Sequence, residues 1–362
     1  MTSSIWPNHW QTFYYGEKKM TEPLPEGQIE KLNILSVNRL AYDLKLHLSE
    51  LVDLARRSDR QYDPFQTQGR VRPFQKQQPR TRLIDNPLKL AKLIQKRIYR
   101  KYLRPICFPE YILGGVRKRS VLDNAERHLG ASLLVTIDVR KCFPSITNKH
   151  VYHVWRNVLG CSPRVAALLT RLTTYKRRLP QGSPASPLIA NLLIWSIDEP
   201  IREACLAKGV TYSTWIDDLA FSGTRARELI QIAASVLAKH GLRISHKKIR
   251  IMAGRKAKLL TGTRLGRLSA RASKDKISRV RSGIHKLRVG LVPHSLIPGY
   301  VDSLVGQLRF IEHLCSKDAA RYARELALLG PWFERFASSP TLSHRSHLSE
   351  NSNDGFEKKT AE

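Results

Sequence analysis

Asp217 and Asp218 stand side by side in Tyr-Ser-Thr-Trp-Ile-Asp-Asp-Leu-Ala-Phe-Ser (212–222). β-Prone residues on both sides of the pair predict a hairpin that carries two acids at its turn. Adjacent carboxylates repel, and folds tolerate them mainly where divalent cations neutralise the charge. Such a tip suits two Mg²⁺ ions that clamp the attacking and leaving oxygens of a phosphoryl transfer. A solvated turn can carry the same dipeptide, so the pair alone decides nothing. A third candidate, Asp138, lies 79 residues before Asp217, in Leu-Leu-Val-Thr-Ile-Asp-Val-Arg-Lys-Cys-Phe-Pro-Ser-Ile (133–146).

Elements must bring these acids together. Leu133–Ile137 reads as a buried strand that delivers Asp138 at its end, with Phe143 five residues later. Between the acids lies Leu-Pro-Gln-Gly-Ser-Pro-Ala-Ser-Pro-Leu-Ile-Ala-Asn-Leu-Leu (179–193), a turn opening an apolar helix. Its backbone amides and the helix N-terminus suit a phosphate or a template-pairing base, although a capped helix start explains the same string. Upstream, residues 1–27 are irregular and rich in aromatics, and Leu32 to Arg57 has leucines at helical spacing, which predicts one or two helices. Asp63 to Pro79 reads as a Gln- and Pro-rich break. Leu88 to Leu103 reads as a basic amphipathic helix packing through Leu90, Leu93, Ile94 and Ile98. Helices are also predicted at Val151–Tyr175, at Ala226–His240 with Gly241 as its stop, at Lys276–Arg288 and at Tyr300–Leu329. Residues 337–362 lack periodicity and read as a disordered tail.

The chain has 362 residues, 62 Lys+Arg against 30 Asp+Glu, and a formal charge of +32. An excess of that size points to phosphate-bearing partners bound in a salt-dependent way. It is concentrated: Arg243 to Arg288 holds sixteen Lys/Arg and one acid, Asp275. A merely solvated face would intersperse both signs. The five cysteines have no paired spacing, which speaks against a disulfide framework and for a reducing cytoplasm. His150 and His153 are three apart but lack nearby ligands. No apolar run reaches membrane length and the N-terminus has no export-signal design, so neither a membrane partner nor export is expected.

The ordered motifs resemble those of bacterial retron reverse transcriptases. Arg-Leu-Ile-Asp-Asn-Pro (82–87) with Leu-Ile-Gln (93–95) is similar to the family's fingers motif. Asn-Ala-Glu-Arg-His (124–128) matches its Asn-Ala-x-x-His signature. Residues 136–146 resemble the first catalytic motif, and Pro-Gln-Gly-Ser-Pro-Ala-Ser-Pro (180–187) the template grip. Gly-Leu-Arg-Ile-Ser-His-Lys-Lys (241–248) resembles Gly-x-x-Ile-Asn-x-x-Lys, and Leu-Thr-Gly (260–262) stands in for Val-Thr-Gly. Gly-Gln-Leu-Arg-Phe-Ile (306–311) fits the thumb. The family's Tyr-Ala-Asp-Asp is here Trp-Ile-Asp-Asp (215–218), which changes the ring beneath the primer and puts Ile216 in place of a small residue.

The resemblance implies an α+β right-hand polymerase with fingers, a palm built on an antiparallel sheet, and a helical thumb. Residues 1–75 would be an N-terminal helical extension, 76–265 fingers and palm, and 266–336 the thumb. Asp138, Asp217 and Asp218 would be catalytic and hold two Mg²⁺. Lys76 and Arg82 would meet the triphosphate, and Lys248 the pyrophosphate. Phe143 would face the sugar, unless it is a plain core aromatic. Gln181, Gly182 and Trp215 would border nucleotide, template and primer. Arg264, Arg267, Arg271 and Lys274 would bind RNA. Asn124 and His128 either contact RNA or form a structural polar pair that satisfies backbone groups; Thr261-Gly262 is either a primer contact or a turn. The partners would be dNTPs, a cognate noncoding RNA acting as template and primer, its DNA copy, and an effector or toxin protein. The setting would be antiphage defence in a bacterial cytoplasm. Alternatives are an intron-type or abortive-infection reverse transcriptase, or a non-catalytic RNA-binding scaffold.

Overall fold

The computed structural model describes residues 31–68, 81–254 and 256–315. The expectations for Lys76, for the N-terminal 27 residues and for the tail lie outside them. Helices α1 (Val37–Asp43) and α2 (Leu48–Arg56) realise the leucine periodicity, with Leu40, Leu44, Leu51 and Leu54 buried. Strands β1 (Tyr62–Gln68) and β2 (Thr81–Pro87) then pair antiparallel from Tyr62↔Pro87 to Gln68↔Thr81. Residues 63–68, expected as a break, are therefore strand. Pro64 is tolerated because in a two-stranded sheet every strand is an edge.

Helix α3 (Lys89–Ile98) runs into a π turn at Tyr99–Leu103. Its packing face differs from the expectation: Ala91, Ile94, Gln95 and Ile98 are buried, whereas Leu90 and Leu93 are nearly half exposed. Gln95 is drawn inward because its Nε2 donates to the Tyr62 hydroxyl and to the Leu172 carbonyl. Next come α4 (Val121–Glu126), β3 (Leu133–Asp138), α5 (Cys142–Ser145), α6 (Asn148–His153) and α7 (Pro163–Thr173). The single helix expected over 151–175 is broken by a π turn, by Gly160 at φ +72° and by Pro163 at the start of α7. Helices α8 (Ser186–Trp195) and α9 (Glu199–Ala207) lead to the hairpin β4 (Thr211–Trp215) and β5 (Asp218–Ser222). Helix α10 (Leu229–Lys239) stops before Gly241, whose φ is +72°.

Strand β6 (Arg250–Ala253) completes a four-stranded antiparallel sheet in the order β4-β5-β3-β6. A third antiparallel sheet, not foreseen from the sequence, joins β7 (Lys258–Leu260), β8 (Thr263–Leu265) and β9 (Ala270–Ala272). The boundary expected at 265/266 thus falls between two paired strands, and the next helix opens only after Ser273. Helices α11 (Lys274–Arg288) and α12 (Ile297–Leu314) close the described chain. The fold is α+β.

Helix α8 is the centre of the main core: every residue but Pro187 is buried, and Trp195 lies beside Phe108. The central sheet packs on that core through Val135, Ile137, Leu219 and Phe221. Each such side chain contributes about 1.5–3 kcal/mol of burial. Separate clusters join α4 to the β7–β9 sheet (Ala125, Leu260, Leu265) and α11 to α12 (Val280, Ile284, Leu304, Ile311). Among the described residues no helix is long and apolar enough to cross a membrane.

Candidate active site

The ladder between β3 and β5 ends with Asp138 directly opposite Asp218, and the β4–β5 ladder ends with Trp215 opposite the same Asp218. Ile216 and Asp217 are left as a two-residue turn. Two-residue hairpins favour primed turns, whose first position needs a positive φ and usually holds Asn, Asp or Gly. Here Ile216 takes it, at φ +57°, a strain on the order of 1–3 kcal/mol for a β-branched residue. Its surroundings over-determine that conformation. Val139 N–H donates to the Asp217 carbonyl at 2.8 Å, tying the tip to the end of β3. Residues 111–113 run beside β4, with Thr214 N–H donating to Tyr111 and Leu113 N–H to Thr214. They bring Gly114 so close that a Cβ there would lie 2.6 Å from the Ile216 nitrogen. Asn191, inside α8, donates to the Gly114 carbonyl at 2.8 Å and fixes this approach. Gly114 and Asn191 were not singled out from the sequence, since their role exists only across the fold.

The structure brings the three acids together at a partly buried surface. Burial, followed by the neighbouring charges of Asp217 and Asp138, pushes the Asp218 carboxyl up to about 6. Asp217 is also raised, by burial first and then by Asp138, against the opposing pull of its own backbone hydrogen bond, Lys248 and Arg82. Lys248 Nζ sits 2.6 Å from Asp138 Oδ2, while Asp138 Oδ1 is buried without a hydrogen-bond partner. Among the described residues, no three His, Cys, Asp or Glu side chains form a group ready to hold a metal ion. The acids nevertheless form a deficit of positive charge that Lys248 fills only at one oxygen. Oxygen donors of this kind, Asp138, Asp217 and Asp218, are the residues that could hold hard divalent cations.

The Gln181–Gly182 turn borders the hairpin β1–β2, but the amides expected at the start of α8 face inward. Ser183, Ala185 and Ser186 are buried, Ala185 N–H donates to Ser183 Oγ, and Ser186 Oγ donates to the Pro180 carbonyl. Gly182 is the exposed point of the turn, with Gln181 half-buried beside it. Arg82 is exposed on β2, and its charge reaches Asp217. Phe143 is half-buried against the main core.

Asn124 and His128 are 0% and 1% exposed, which corrects the expectation of an RNA contact. They meet two serines that the sequence reading overlooked, rather than backbone groups. His128 Nδ1 lies 2.7 Å from Ser222 Oγ and Nε2 lies 2.8 Å from Ser213 Oγ, which in turn donates to Asn124 Oδ1. With the Ser213 proton given to Asn124, the imidazole carries its own proton on Nε2 and accepts from Ser222. The network ties α4 to β4 and β5. Burial, and then the Arg127 charge, lowers the imidazole to about 4.

Thr261 and Gly262 both have positive φ, +47° and +81°, and form the turn between β7 and β8. A Cβ on Gly262 would meet the Lys276 side chain at 2.8 Å, and Lys276 lies over the Phe310 ring. The glycine is thereby explained by its turn and by α11. Arg264 and Arg271 are cross-strand partners, both exposed, and Arg267 and Lys274 are exposed nearby in sequence. None of the four joins an ion pair among the described residues. Like charges directly opposite are destabilising, so this surface favours a polyanion.

The family described as reverse transcriptase (RNA-dependent DNA polymerase) matches residues 74–278. The Retron Ec86 reverse transcriptase of Escherichia coli is 27% identical over 72% of this chain and 79% of its own. The Retron Se72 reverse transcriptase of Salmonella heidelberg is 26% identical, covering 67% of this chain and 60% of its own. The Retron Mx162 reverse transcriptase of Myxococcus xanthus is 28% identical over 49% and 44%. Among solved structures, apo telomerase from Candida tropicalis matches 64% of this chain and 53% of its own at TM-score 0.41 and 11% identity.

The buried imidazole sets a pH dependence. Because His128 is held below its ordinary 6.5, the unfolded chain takes up a proton first as pH falls. Its contribution to stability is full above about pH 6.5 and drains away as pH falls toward about 4, up to roughly 3 kcal/mol. Urea unfolding should show His128→Gln less stable than wild type at pH 7.5, with the gap narrowing by pH 4.5. A gap that does not change with pH contradicts a neutral buried His128.

Proposed function

This chain belongs to the reverse transcriptase (RNA-dependent DNA polymerase) family, and we propose that it copies a cognate structured noncoding RNA into DNA by two-metal nucleotidyl transfer. As a retron-type RNA-directed DNA polymerase it uses an RNA template and nucleotide substrates. The observation that carries the two-metal reading is the meeting of Asp138, Asp217 and Asp218 at the end of one ladder, with Asp217 and Asp218 both held above the usual carboxylate range. The orphaned Asp138 Oδ1 and the raised acids fit divalent cations, and we assign them Mg²⁺. When bound, the ions supply activation of the primer hydroxyl and charge neutralisation at the leaving pyrophosphate.

The protein's own residues do the rest. β1–β2 with α3 would act as fingers, the four-stranded sheet as palm, and α11–α12 as thumb, with the palm–thumb boundary at Ser273 instead of 265/266. The N-terminal extension, expected over 1–75, would end before Tyr62, because β1 pairs with β2. Arg82, whose charge already acts on Asp217, would grip the triphosphate together with Lys76. Lys248, parked on Asp138, would steady or protonate the pyrophosphate. Gln181 and Gly182 would border the nucleotide and template, and Trp215, opposite Asp218, would support the primer. The Thr261–Gly262 turn would face the primer strand through its backbone. Arg264, Arg267, Arg271 and Lys274 would bind RNA phosphates. The relatives' retron character supports an internal 2′-hydroxyl as primer, a branched RNA–DNA product, and antiphage defence with an effector protein in the bacterial cytoplasm.

Asp217→Asn should lower dNTP incorporation on a primed RNA template by about three orders of magnitude, the scale on which losing one charge-stabilising group is felt. RNA affinity should be nearly unchanged, because it resides in the basic tract. Normal incorporation by the purified variant would sink the two-metal assignment.

Phe143 would act as a sugar gate, its ring leaving neither space nor a hydrogen bond for a ribose 2′-hydroxyl. Phe143→Val should then raise rNTP use relative to dNTP use. If the ring serves the core alone, the variant instead loses a few kcal/mol of stability and both activities fall together at an unchanged ratio.

A further inference from the structure

Asp85 lies in the Arg-Leu-Ile-Asp-Asn-Pro segment (82–87) without a role of its own so far, yet its side chain is buried and bonded through both oxygens. Strand β2 is exposed from Thr81 to Leu83, and Asp85 is 2% exposed. Both carboxylate oxygens are used. Oδ2 accepts from the Gln181 backbone N–H at 3.2 Å, and Oδ1 accepts from Arg178 Nη2 at 3.3 Å. The Asp85 backbone N–H returns a bond to the Gln181 carbonyl at 2.9 Å, so the two residues hold each other from both sides. The next residue closes the fit. Gly182 has φ +150°, and a Cβ on it would lie 2.6 Å from the Asp85 carbonyl oxygen and 3.2 Å from Ile84 Cγ2. No side chain fits between the turn and the strand.

This arrangement joins two parts that the proposed mechanism keeps separate: the strand carrying Arg82, three residues before Asp85, and the turn carrying Gln181. We infer that Asp85 is a positioning residue for the nucleotide site, locking the Gln181–Gly182 turn to β2 so that Arg82 and the turn move as one body. The lock depends on charge as well as shape. The Asp85 carboxylate is nearly inaccessible whereas the Arg178 side chain is 31% exposed, so removing Arg178 strands the Asp85 charge. It is also built from acceptor count. A carboxylate can accept from both Gln181 and Arg178, whereas an Asn amide can accept from one and turns its NH₂ toward the other. A rigid turn–strand unit means that any closing of the hairpin over a nucleotide carries Gln181 and Gly182 with it. The distance from Arg82 to the turn is then set before substrate arrives, which is the condition for positioning to aid reaction.

The inference rests on the polymerase reading for its consequence, but not for the lock itself, and two measurements separate them. The first is amide hydrogen exchange at Gln181 in the full-length protein. Asp85→Ala should speed it relative to wild type, because both acceptor oxygens are lost; an unchanged rate overturns the lock. The second is a dNTP titration on a primed RNA template with wild type, Asp85→Asn and Gly182→Ala. Both variants should raise the KM for dNTP by about tenfold or more, with a smaller fall in kcat, the signature of lost positioning instead of lost enzyme. Gly182→Ala reaches the same contact from the other side and guards against a fault peculiar to Asp85→Asn. A purely structural role predicts fewer folded molecules, a lower apparent kcat and an unchanged KM, and that result overturns the assignment. If wild type itself incorporates no dNTP, the polymerase reading falls while the exchange measurement still decides the lock.

Discussion

Repulsion among three carboxylates held at the end of one β-ladder is the constraint around which the rest of this structure is organised. Two acids on neighbouring strands and a third in the connecting turn disfavour each other's charge, and partial burial worsens the penalty. A fold that only needed stability would place apolar residues there. Lys248 relieves one oxygen of Asp138 and leaves the other without a partner. The arrangement makes sense as a site whose missing positive charge arrives with the substrate.

Holding such a site requires rigidity from elements that do no chemistry. Helix α8, apolar nearly all round, anchors the loop at Gly114 through Asn191. That loop presses on Ile216 and keeps a β-branched residue in a left-handed turn. Asn124, His128, Ser213 and Ser222 tie the same hairpin to α4 from the other side. Asp85 extends the rigid frame to the strand bearing Arg82. Asn191, the Asn124–His128 network and Asp85 thus each fix a backbone segment of the acidic hairpin or of the strand bearing Arg82.

The local parts of this design were legible in the sequence. The strand ending in Asp138, the acidic hairpin and the stop at Gly241 follow from an apolar run, β-prone flanks on both sides of the acids and a C-terminal glycine. What was not legible is whatever depends on two distant segments meeting. Asp85 is one residue of a motif with no role of its own until the turn at Gln181 is placed beside it. The Asn124–His128 spacing was visible, but its partners lie in strands about ninety residues away in the chain. Leu90 and Leu93 looked like the buried face of α3 because periodicity weighs hydrophobicity alone, whereas two hydrogen bonds to Gln95 set the rotation. The β7–β9 sheet escaped because its strands are three residues each, too short for alternation to show.

The central claim is that the three acids form a site completed by divalent cations, and thermal unfolding with and without Mg²⁺ tests it most directly. Wild type should melt at a higher temperature as Mg²⁺ is added, because a ligand that binds the folded state stabilises it by mass action. Asp218→Asn should be more stable than wild type in the absence of the ion at pH 7.5, since it removes a carboxylate held up at about 6, and should lose most of the response to Mg²⁺. A melting temperature that ignores Mg²⁺ in wild type, or responds equally in both proteins, would contradict the account.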